Sequence, residues 1–198
     1  MSRTEDDRCI EKVLNGDRQA YSRIVDRYSD RVYSLALKIC SCTEDAEEIA
    51  QDAFLKAYRS LKSFRHKSSF ATWLYRITYN TAITSIRKKK SDTLKIEDFP
   101  ADSVDFLKEC ETEEEAEREY RTALLNFAIQ KLDTNDRAII SLFYYQESSV
   151  EEIAGILNFS CSNVKVRLYR ARRKLEEIIK ENAEIIKFEP DEIRSFQG

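Results

Sequence analysis

The chain has 198 residues, of which 42% are hydrophobic and 35% charged, and it contains only three glycines and two prolines. This apolar share excludes an intrinsically disordered chain, and the scarcity of helix breakers predicts an all-α fold. The acidic start at residues 1–7 lacks the apolar core of a signal peptide, and no apolar stretch approaches the roughly 20 residues that cross a bilayer. We therefore expect a cytoplasmic protein of one large or two small domains.

Five cysteines occur without any CxxC spacing. An odd number in this pattern predicts reduced thiols rather than a disulfide framework. Cys40, Cys42 and the single His66 are the only hint of a metal site. We expect neither a metal nor a cofactor.

The formal net charge of −3 conceals a strong segregation of charge along the chain. Residues 53–91 carry ten bases and no acid, and residues 153–175 carry six bases and no acid. Between them, residues 92–119 carry twelve acids against three bases, a net charge of −9. Two basic surfaces joined by an acidic strap suggest two sites on one polyanion.

Two helices are predicted early in the chain. Asp17 follows a turn signal and is the expected N-cap of a helix through about Lys38. A second helix starts after Thr43, with a face opposite the core formed by Glu48, Gln51, Asp52 and Lys56. Its predicted buried stripe follows the i, i+3, i+4, i+7 spacing: Ala46, Ile49, Ala50, Ala53, Phe54, Ala57, Tyr58 and Leu61.

A basic and aromatic segment over residues 63–80 follows, beginning as a loop and continuing into a third helix, from about Phe70 to Lys89. Cations that hold phosphates, interleaved with rings and amides that receive unstacked bases, suit a single strand better than a closed duplex. The alternative is core packing, because Phe70, Trp73, Leu74 and Ile77 also form a regular apolar stripe.

The chain is therefore predicted to hold two small helical domains. The first covers residues 1–90, an acidic linker covers 91–118, and the second domain covers 119–180. We expect the linker to be extended, or partly helical near its acidic end. Helices are predicted at about 119–131, 134–145, 149–157 and 161–180, and the tail at 181–198 has no assigned role.

The last two predicted helices have the layout of a DNA-binding helix-turn-helix. Ser149 and Glu152 form a capping box, and Ser160 is the expected cap of the second helix after a short turn. That helix would enter the major groove, with an outer face of Ser162, Lys165, Val166, Tyr169, Arg170 and Arg173. The alternative is an ordinary antiparallel helix pair with a solvated basic face.

Three runs together resemble a known family. They read DAEEIAQDAF at 45–54, FATWLYRITYN at 70–80, and EEIA at 151–154 followed by NVKVRLYRARRKL at 163–175. In this order and at these separations they look like the extracytoplasmic-function (ECF, group 4) sigma factors of bacteria, over roughly residues 10–180.

The resemblance implies a non-enzymatic subunit that binds the clamp and flap regions of core RNA polymerase and directs it to promoter DNA. It also implies an anti-sigma factor as partner, whereas the lack of a long apolar stretch predicts no membrane insertion. The polymerase-binding residues would be Glu48, Gln51 and Asp52. The minus-ten residues would be Arg65, Lys67, Trp73, Arg76, Asn80, Arg87, Lys88 and Lys89. The minus-thirty-five residues would be Ser162, Asn163, Lys165, Val166, Tyr169, Arg170 and Arg173.

Two positions depart from the family pattern. Leu132 is followed by Asp133, where the family often has proline, and Val166 stands where a small polar residue is common. The resemblance further implies that the acidic linker threads the polymerase. We expect its charge to occupy a channel meant for nucleic acid until RNA displaces it.

Two rival functions follow from the same residues. An autonomous regulator of the LuxR kind would use the helix-turn-helix without polymerase, but it leaves the first domain unexplained. A nuclease would need a phosphate loop or a metal-ligand constellation, and the sequence has no Gly-rich loop, no HExxH and one histidine.

Overall fold

The computed structural model describes residues 4–92 and 112–185, and every regular element in these two ranges is helical. This confirms the predicted all-α class. A 3-10 turn lies at Leu61–Ser63 and a π-helical turn at Ser141–Tyr145. The helices are α1 (Glu5–Leu14), α2 (Gln19–Cys40), α3 (Thr43–Ser60), α4 (Phe70–Asp92), α5 (Glu113–Gln130), α6 (Thr134–Ile140), α7 (Val150–Leu157) and α8 (Cys161–Ile185).

Most helix starts agree with the sequence, and the exceptions have local causes. The N-cap residue of α2 is Arg18, one residue after the expected Asp17. The Asp17 carboxylate nevertheless accepts a hydrogen bond from the Ala20 amide (3.2 Å), so it still caps the helix from the preceding position. α5 begins within the expected linker because the Thr112 hydroxyl accepts from the Glu115 amide (3.2 Å). Residues 93–111 of the linker and 186–198 of the tail lie outside the described ranges.

Helix α1 was not predicted. Its N-terminus is a capping box in which the Thr4 hydroxyl accepts from the Asp7 amide (3.2 Å) and the Asp7 carboxylate accepts from the Thr4 amide (3.0 Å). The usual capping-box signature has Glu or Gln at this third position, so the shorter Asp7 did not mark the start.

The described residues form two compact units. The first contains residues 4–92 and 133–168, so that α6 and α7 belong to the same unit as α1–α4. Its core lies where α2, α3 and α4 meet, at side chains that are at most 2% exposed: Ile24, Val32, Leu35, Ile39, Ile49 and Leu74. The core residues contributed by α6, the π-helical turn and α7 are Ile139, Leu142, Ile153 and Ile156, also at most 2% exposed.

The second unit contains residues 112–132 and 169–185. In α5 the buried residues Leu124, Ala128 and Ile129 follow the helical spacing, and Leu132 beyond its end is also buried. In α8 the buried residues of this unit are Ala171 and Leu175, which lie four residues apart on one face of the helix.

Three side-chain hydrogen bonds join α4 to the segment 135–152, and we call this set the clasp. The Thr72 hydroxyl donates to Glu152 Oε1 (2.8 Å), the Tyr75 hydroxyl to Gln146 Oε1 (2.9 Å), and the Tyr79 hydroxyl to Asn135 Oδ1 (2.7 Å). Burial raises the pKa of both tyrosines, which keeps their hydroxyls protonated as donors. α7 packs against α4, whereas α6 and the π-helical turn pack against α2.

We predict that Tyr79→Phe lowers the free energy of unfolding by about 1 kcal/mol, because it leaves the half-buried Asn135 side-chain oxygen Oδ1 without its donor. Tyr169→Phe is the matched control, since Tyr169 is 61% exposed on α8. Urea unfolding of both variants checks this. An equal loss in the two variants would contradict the stabilising role of the clasp.

Candidate nucleic-acid interface

Helix α4 also has a face that belongs neither to the core nor to the clasp, and this face is exposed and basic. Arg76, Asn80 and Arg87 lie along one stripe of the helix, at spacings of four and seven residues, and all are exposed. Lys88 and Lys89 are exposed as well, but Lys89 forms an ion pair with Asp45 of α3. That bond raises the pKa of Lys89, so a phosphate would have to compete with a protein carboxylate there.

The loop before α4 is built on an aromatic cluster. The Phe64 ring lies 5.2 Å from the Trp73 ring and 5.6 Å from the Phe70 ring, measured between centroids. Phe70 and Leu74 are buried, as the core-packing alternative predicted, whereas Trp73 and Ile77 are only half-buried. Arg65 and Lys67 of the loop are exposed. The structure thus brings exposed cations next to a half-exposed ring.

The outer face of α3 is acidic and polar, as predicted. Glu48, Gln51 and Asp52 are all exposed, and Asp52 forms an ion pair with Lys56 (3.7 Å). Beside this face lies a groove between α2 and α3, with a volume of about 830 Å³. The residues that line it include several that were not predicted as site residues: Arg18, Tyr21, Val25 and Leu55.

Tyr58 also lines this groove, and its predicted place in the buried stripe was wrong. Its side chain is 38% exposed, and its ring meets Tyr21 edge-on at 4.9 Å. The Tyr21 hydroxyl in turn donates to the Phe54 carbonyl (2.6 Å). With Leu55 52% exposed, an apolar surface adjoins the acidic one, a combination typical of protein–protein interfaces.

The helix-turn-helix has the local geometry that the sequence predicted. The Ser149 hydroxyl accepts from the Glu152 amide (3.2 Å) and Glu152 accepts from the Ser149 amide (3.0 Å). Asn158 ends α7 in the left-handed conformation (φ 57°), and the Ser160 hydroxyl accepts from the Asn163 amide (3.2 Å). Asn163 is exposed, and so are all residues predicted for the outer face: Ser162, Lys165, Val166, Tyr169, Arg170 and Arg173.

Arg167 lies on the inner side of α8 and supports the helix-turn-helix. Its guanidinium contacts the Asp136 carboxylate (2.5 Å) and lies over the Phe159 ring (5.6 Å). Asp133 also contacts Arg167 (3.4 Å) and caps α6 by accepting from the Asn135 and Asp136 amides (2.9 and 3.0 Å). The residue that replaces the family's proline is therefore an N-cap.

Among residues 4–92 and 112–185, no group of His, Cys, Asp and Glu side chains is arranged to hold a metal ion. The cysteines in these ranges, Cys9, Cys40, Cys42 and Cys161, are free thiols, and Cys110 lies outside them. None of the described helices is both long enough and apolar enough to span a bilayer.

Comparison with known proteins agrees with this arrangement. Residues 24–91 match the family described as Sigma-70 region 2, and residues 122–175 match Sigma-70, region 4. Over 178 residues the chain is 35% identical to the ECF RNA polymerase sigma factor SigW of Bacillus subtilis (strain 168), an alignment that covers 87% of this chain and 95% of that protein. Over 174 residues it is 36% identical to the ECF RNA polymerase sigma-E factor of Escherichia coli (strain K12), with 84% and 90% covered.

A solved structure shows the same fold. It is the co-crystal structure of the sigma factor RpoE with the anti-sigma factor NepR from Bartonella quintana. The TM-score is 0.64 at 23% identity, and the match covers 81% of this chain and 96% of that one.

A helical chain with both regions in this order is a transcription initiation factor of the sigma-70 type. The chain is 35% and 36% identical to two ECF sigma factors over most of their length. It therefore belongs to the extracytoplasmic-function sigma factors. The resemblance seen in the sequence is thus confirmed.

The pH dependence of stability should report on Glu152. Hydrogen bonds from the Ser149 backbone and from Thr72 hold the pKa of Glu152 below its ordinary value of 4.5. A lowered folded-state pKa stabilises the protein above pH 4.5, and this stabilisation is lost as the pH falls through the lowered value. Glu152→Gln resembles the protonated side chain, so it should be less stable than the parent at pH 7 and equal to it in acid.

Urea unfolding midpoints across this pH range provide the measurement. Glu151→Gln is the matched control, since Glu151 is the exposed neighbour of Glu152 on α7. If the gap between parent and Glu152→Gln stayed constant as the pH falls, the carboxylate would have no such role.

Proposed function

We propose that this sigma factor binds promoter DNA through two surfaces, one on α4 with the loop before it and one on α8. A third surface, on α3, would bind polymerase. The observation that carries the proposal is that the predicted DNA residues of α4 and α8, apart from the half-buried Trp73, are exposed while the intervening faces are buried. Region 2 would correspond to the predicted first domain, residues 1–90, and region 4 to the second, residues 119–180.

The surface for core polymerase is the acidic face of α3, with Glu48, Gln51 and Asp52, together with the adjoining groove. Acidic and amide side chains give specificity and steering, and the exposed Leu55 and Tyr58 supply apolar area to bury. The clamp of the largest subunit is the proposed contact, and the flap is the proposed contact of the second domain.

The minus-ten surface is the exposed stripe of α4 with the loop before it. Arg65, Lys67, Arg87, Lys88 and Lys89 would hold phosphates. Arg76 and Asn80 would form hydrogen bonds with bases of the melted strand. Trp73 would stack on one of these bases.

The minus-thirty-five surface is the outer face of α8. Lys165, Tyr169 and Arg170 would reach base edges and phosphates in the major groove, with Ser162, Asn163 and Arg173 beside them. Val166 is 47% exposed and has no polar atom on its side chain, so it would contribute apolar contact, such as with a thymine methyl group.

The same proposal assigns the chain no catalytic activity and places it in the cytoplasm with polymerase. It also includes an anti-sigma factor as partner. The support is the family and the fold that the chain shares with the sigma factor RpoE, which was solved in complex with the anti-sigma factor NepR. The acidic segment 92–119 is proposed to occupy the nucleic-acid channel before RNA fills it.

The clasp must open when both promoter elements are bound. The minus-ten and minus-thirty-five elements lie about 25 base pairs apart, which corresponds to about 85 Å of duplex. Thr72 on α4 and Glu152 on α7 are hydrogen-bonded at 2.8 Å. Neighbouring helices of one compact unit cannot reach two elements at that separation, so the closed arrangement belongs to the free protein.

Run-off transcription with core polymerase tests the proposed function as a whole, and DNA affinities test its two DNA surfaces. Asn80→Ala should reduce binding to a forked minus-ten DNA while leaving the affinity for minus-thirty-five duplex unchanged. Lys165→Ala should weaken binding of the duplex and lower its salt slope by about one, because one cation that neutralises a phosphate is lost. Lys180→Ala is the matched control on the same helix.

The rival functions give different outcomes in these assays. An autonomous regulator would bind duplex DNA tightly without polymerase, and a nuclease would hydrolyse DNA with a divalent metal. Transcription that does not depend on this chain would refute the proposal.

Opening is tested by a reversible crosslink. In a chain whose native cysteines are replaced by serine, Thr72→Cys and Glu152→Cys are joined by a bis-methanethiosulfonate reagent. The joined chain should fail to support run-off transcription and should recover when a reductant cleaves the link. Full activity in the joined state would show that the clasp persists in the promoter complex.

A further inference from the structure

His66 stands at the turn of the loop before α4 and has an unusual backbone. Its φ of 53° is in the left-handed region, which few residues other than glycine adopt, histidine more readily than most. The side chain is 55% exposed, and Arg65 and Lys67 on either side of it are exposed. The loop therefore presents an imidazole between two cations.

Two contacts fix the imidazole. The ring lies 4.5 Å from the Phe64 ring, between centroids, and so joins the aromatic cluster. Nδ1 lies 3.0 Å from Asp7 Oδ1 of α1. Hydrogen bonds from Thr4 lower the pKa of Asp7, which keeps this carboxylate ionised and able only to accept.

Helix α1 is itself held in place against the aromatic cluster. The Asp6 carboxylate accepts from Arg27 (2.6 Å) and from the Tyr28 hydroxyl (2.6 Å). The Tyr28 ring then meets Phe70 edge-on at 5.7 Å. The Asp7 carboxylate thus has a defined position relative to the loop, although α1 precedes the segment 24–91 that matches region 2.

The hydrogen bond to Asp7 determines which nitrogen of the imidazole can accept a hydrogen bond. Because a carboxylate only accepts, Nδ1 must carry the proton, and the neutral ring then has its lone pair at Nε2. An acceptor at this edge suits the exocyclic amino group of adenine or cytosine. In a closed duplex that amino group is already paired on its Watson–Crick edge, so an unpaired base is the better ligand for a loop beside the aromatic cluster.

We propose that His66 reads an amino-bearing base of the melted minus-ten strand through Nε2, and that Asp7 is the positioning residue that fixes its ring and tautomer. The inference rests on the proposed function of the loop and adds a specificity-determining residue to it. It also gives α1 a role in promoter selection.

The test uses holoenzyme assembled from the full chain and core polymerase. Forked DNA with a randomised single-stranded minus-ten segment is selected by the parent protein, and the affinities for all four bases are then measured at each selected position. His66→Asn is the informative variant, because asparagine tolerates the left-handed backbone while removing the imidazole.

The parent should prefer adenine or cytosine at one position by about fivefold, the worth of one hydrogen bond. His66→Asn should abolish that preference and leave the other positions unchanged. Asp7→Asn should reduce the same preference partly, because an amide can hold either tautomer of the ring. Asp30→Asn, an exposed carboxylate on α2, should change nothing.

Two results would overturn the inference. In the first, His66→Asn lowers affinity equally for all bases, which would make the ring a support for the loop only. In the second, its base profile is the same as that of the parent. If the parent holoenzyme does not bind the fork at all, the proposed function of the loop fails and this inference fails with it.

Discussion

The burial of α4 on two of its faces is the constraint on which the first unit depends. One face supplies Leu74 to the core shared with α2 and α3, and a second carries the polar groups of the clasp. Buried hydroxyls are costly without partners, so Tyr75 and Tyr79 require acceptors at defined places on the segment 135–152. What remains of α4 is the exposed stripe of Arg76, Asn80 and Arg87, which is the part of α4 that belongs to the proposed minus-ten surface.

The polar character of the clasp fits a contact that would break in the proposed promoter complex. Each hydrogen bond contributes a net free energy of about 1 kcal/mol, so three together amount to about 3 kcal/mol. A partner shifts such an equilibrium by its difference in affinity for the two states, and a few kcal/mol is within the reach of one protein interface. A wholly apolar interface of the same extent would be harder to separate.

The first unit also shows how a surface loop acquires a fixed shape. Phe64, Phe70 and Trp73 provide a hydrophobic base, and α1 adds charged contacts from Asp6 and Asp7. Loops positioned by a rigid scaffold are where binding residues concentrate, because they combine exposure with a defined geometry. The N-terminal helix thereby becomes part of the same site as the loop, through contacts that bridge long stretches of sequence.

The sequence alone determined what depends on neighbouring residues. The capping box of Ser149 and Glu152, the cap at Ser160 and the exposed face of α8 follow from spacing within one or two helical turns, and each is present in the structure. The segregation of charge likewise required only the order of residues, and it indicated two basic surfaces before any fold was known. The three runs that resemble the sigma factors are local motifs of the same kind.

Only the tertiary structure decided which of these side chains are available. Lys89 is tied to Asp45, Arg167 is turned inward by Asp136, and Tyr58 lines a groove instead of the core. Asp7 meets His66 and Tyr79 meets Asn135 across 59 and 56 positions of sequence, respectively. Such pairings depend on how helices are placed relative to one another, and helical periodicity carries no information about that placement because it defines faces and not neighbours.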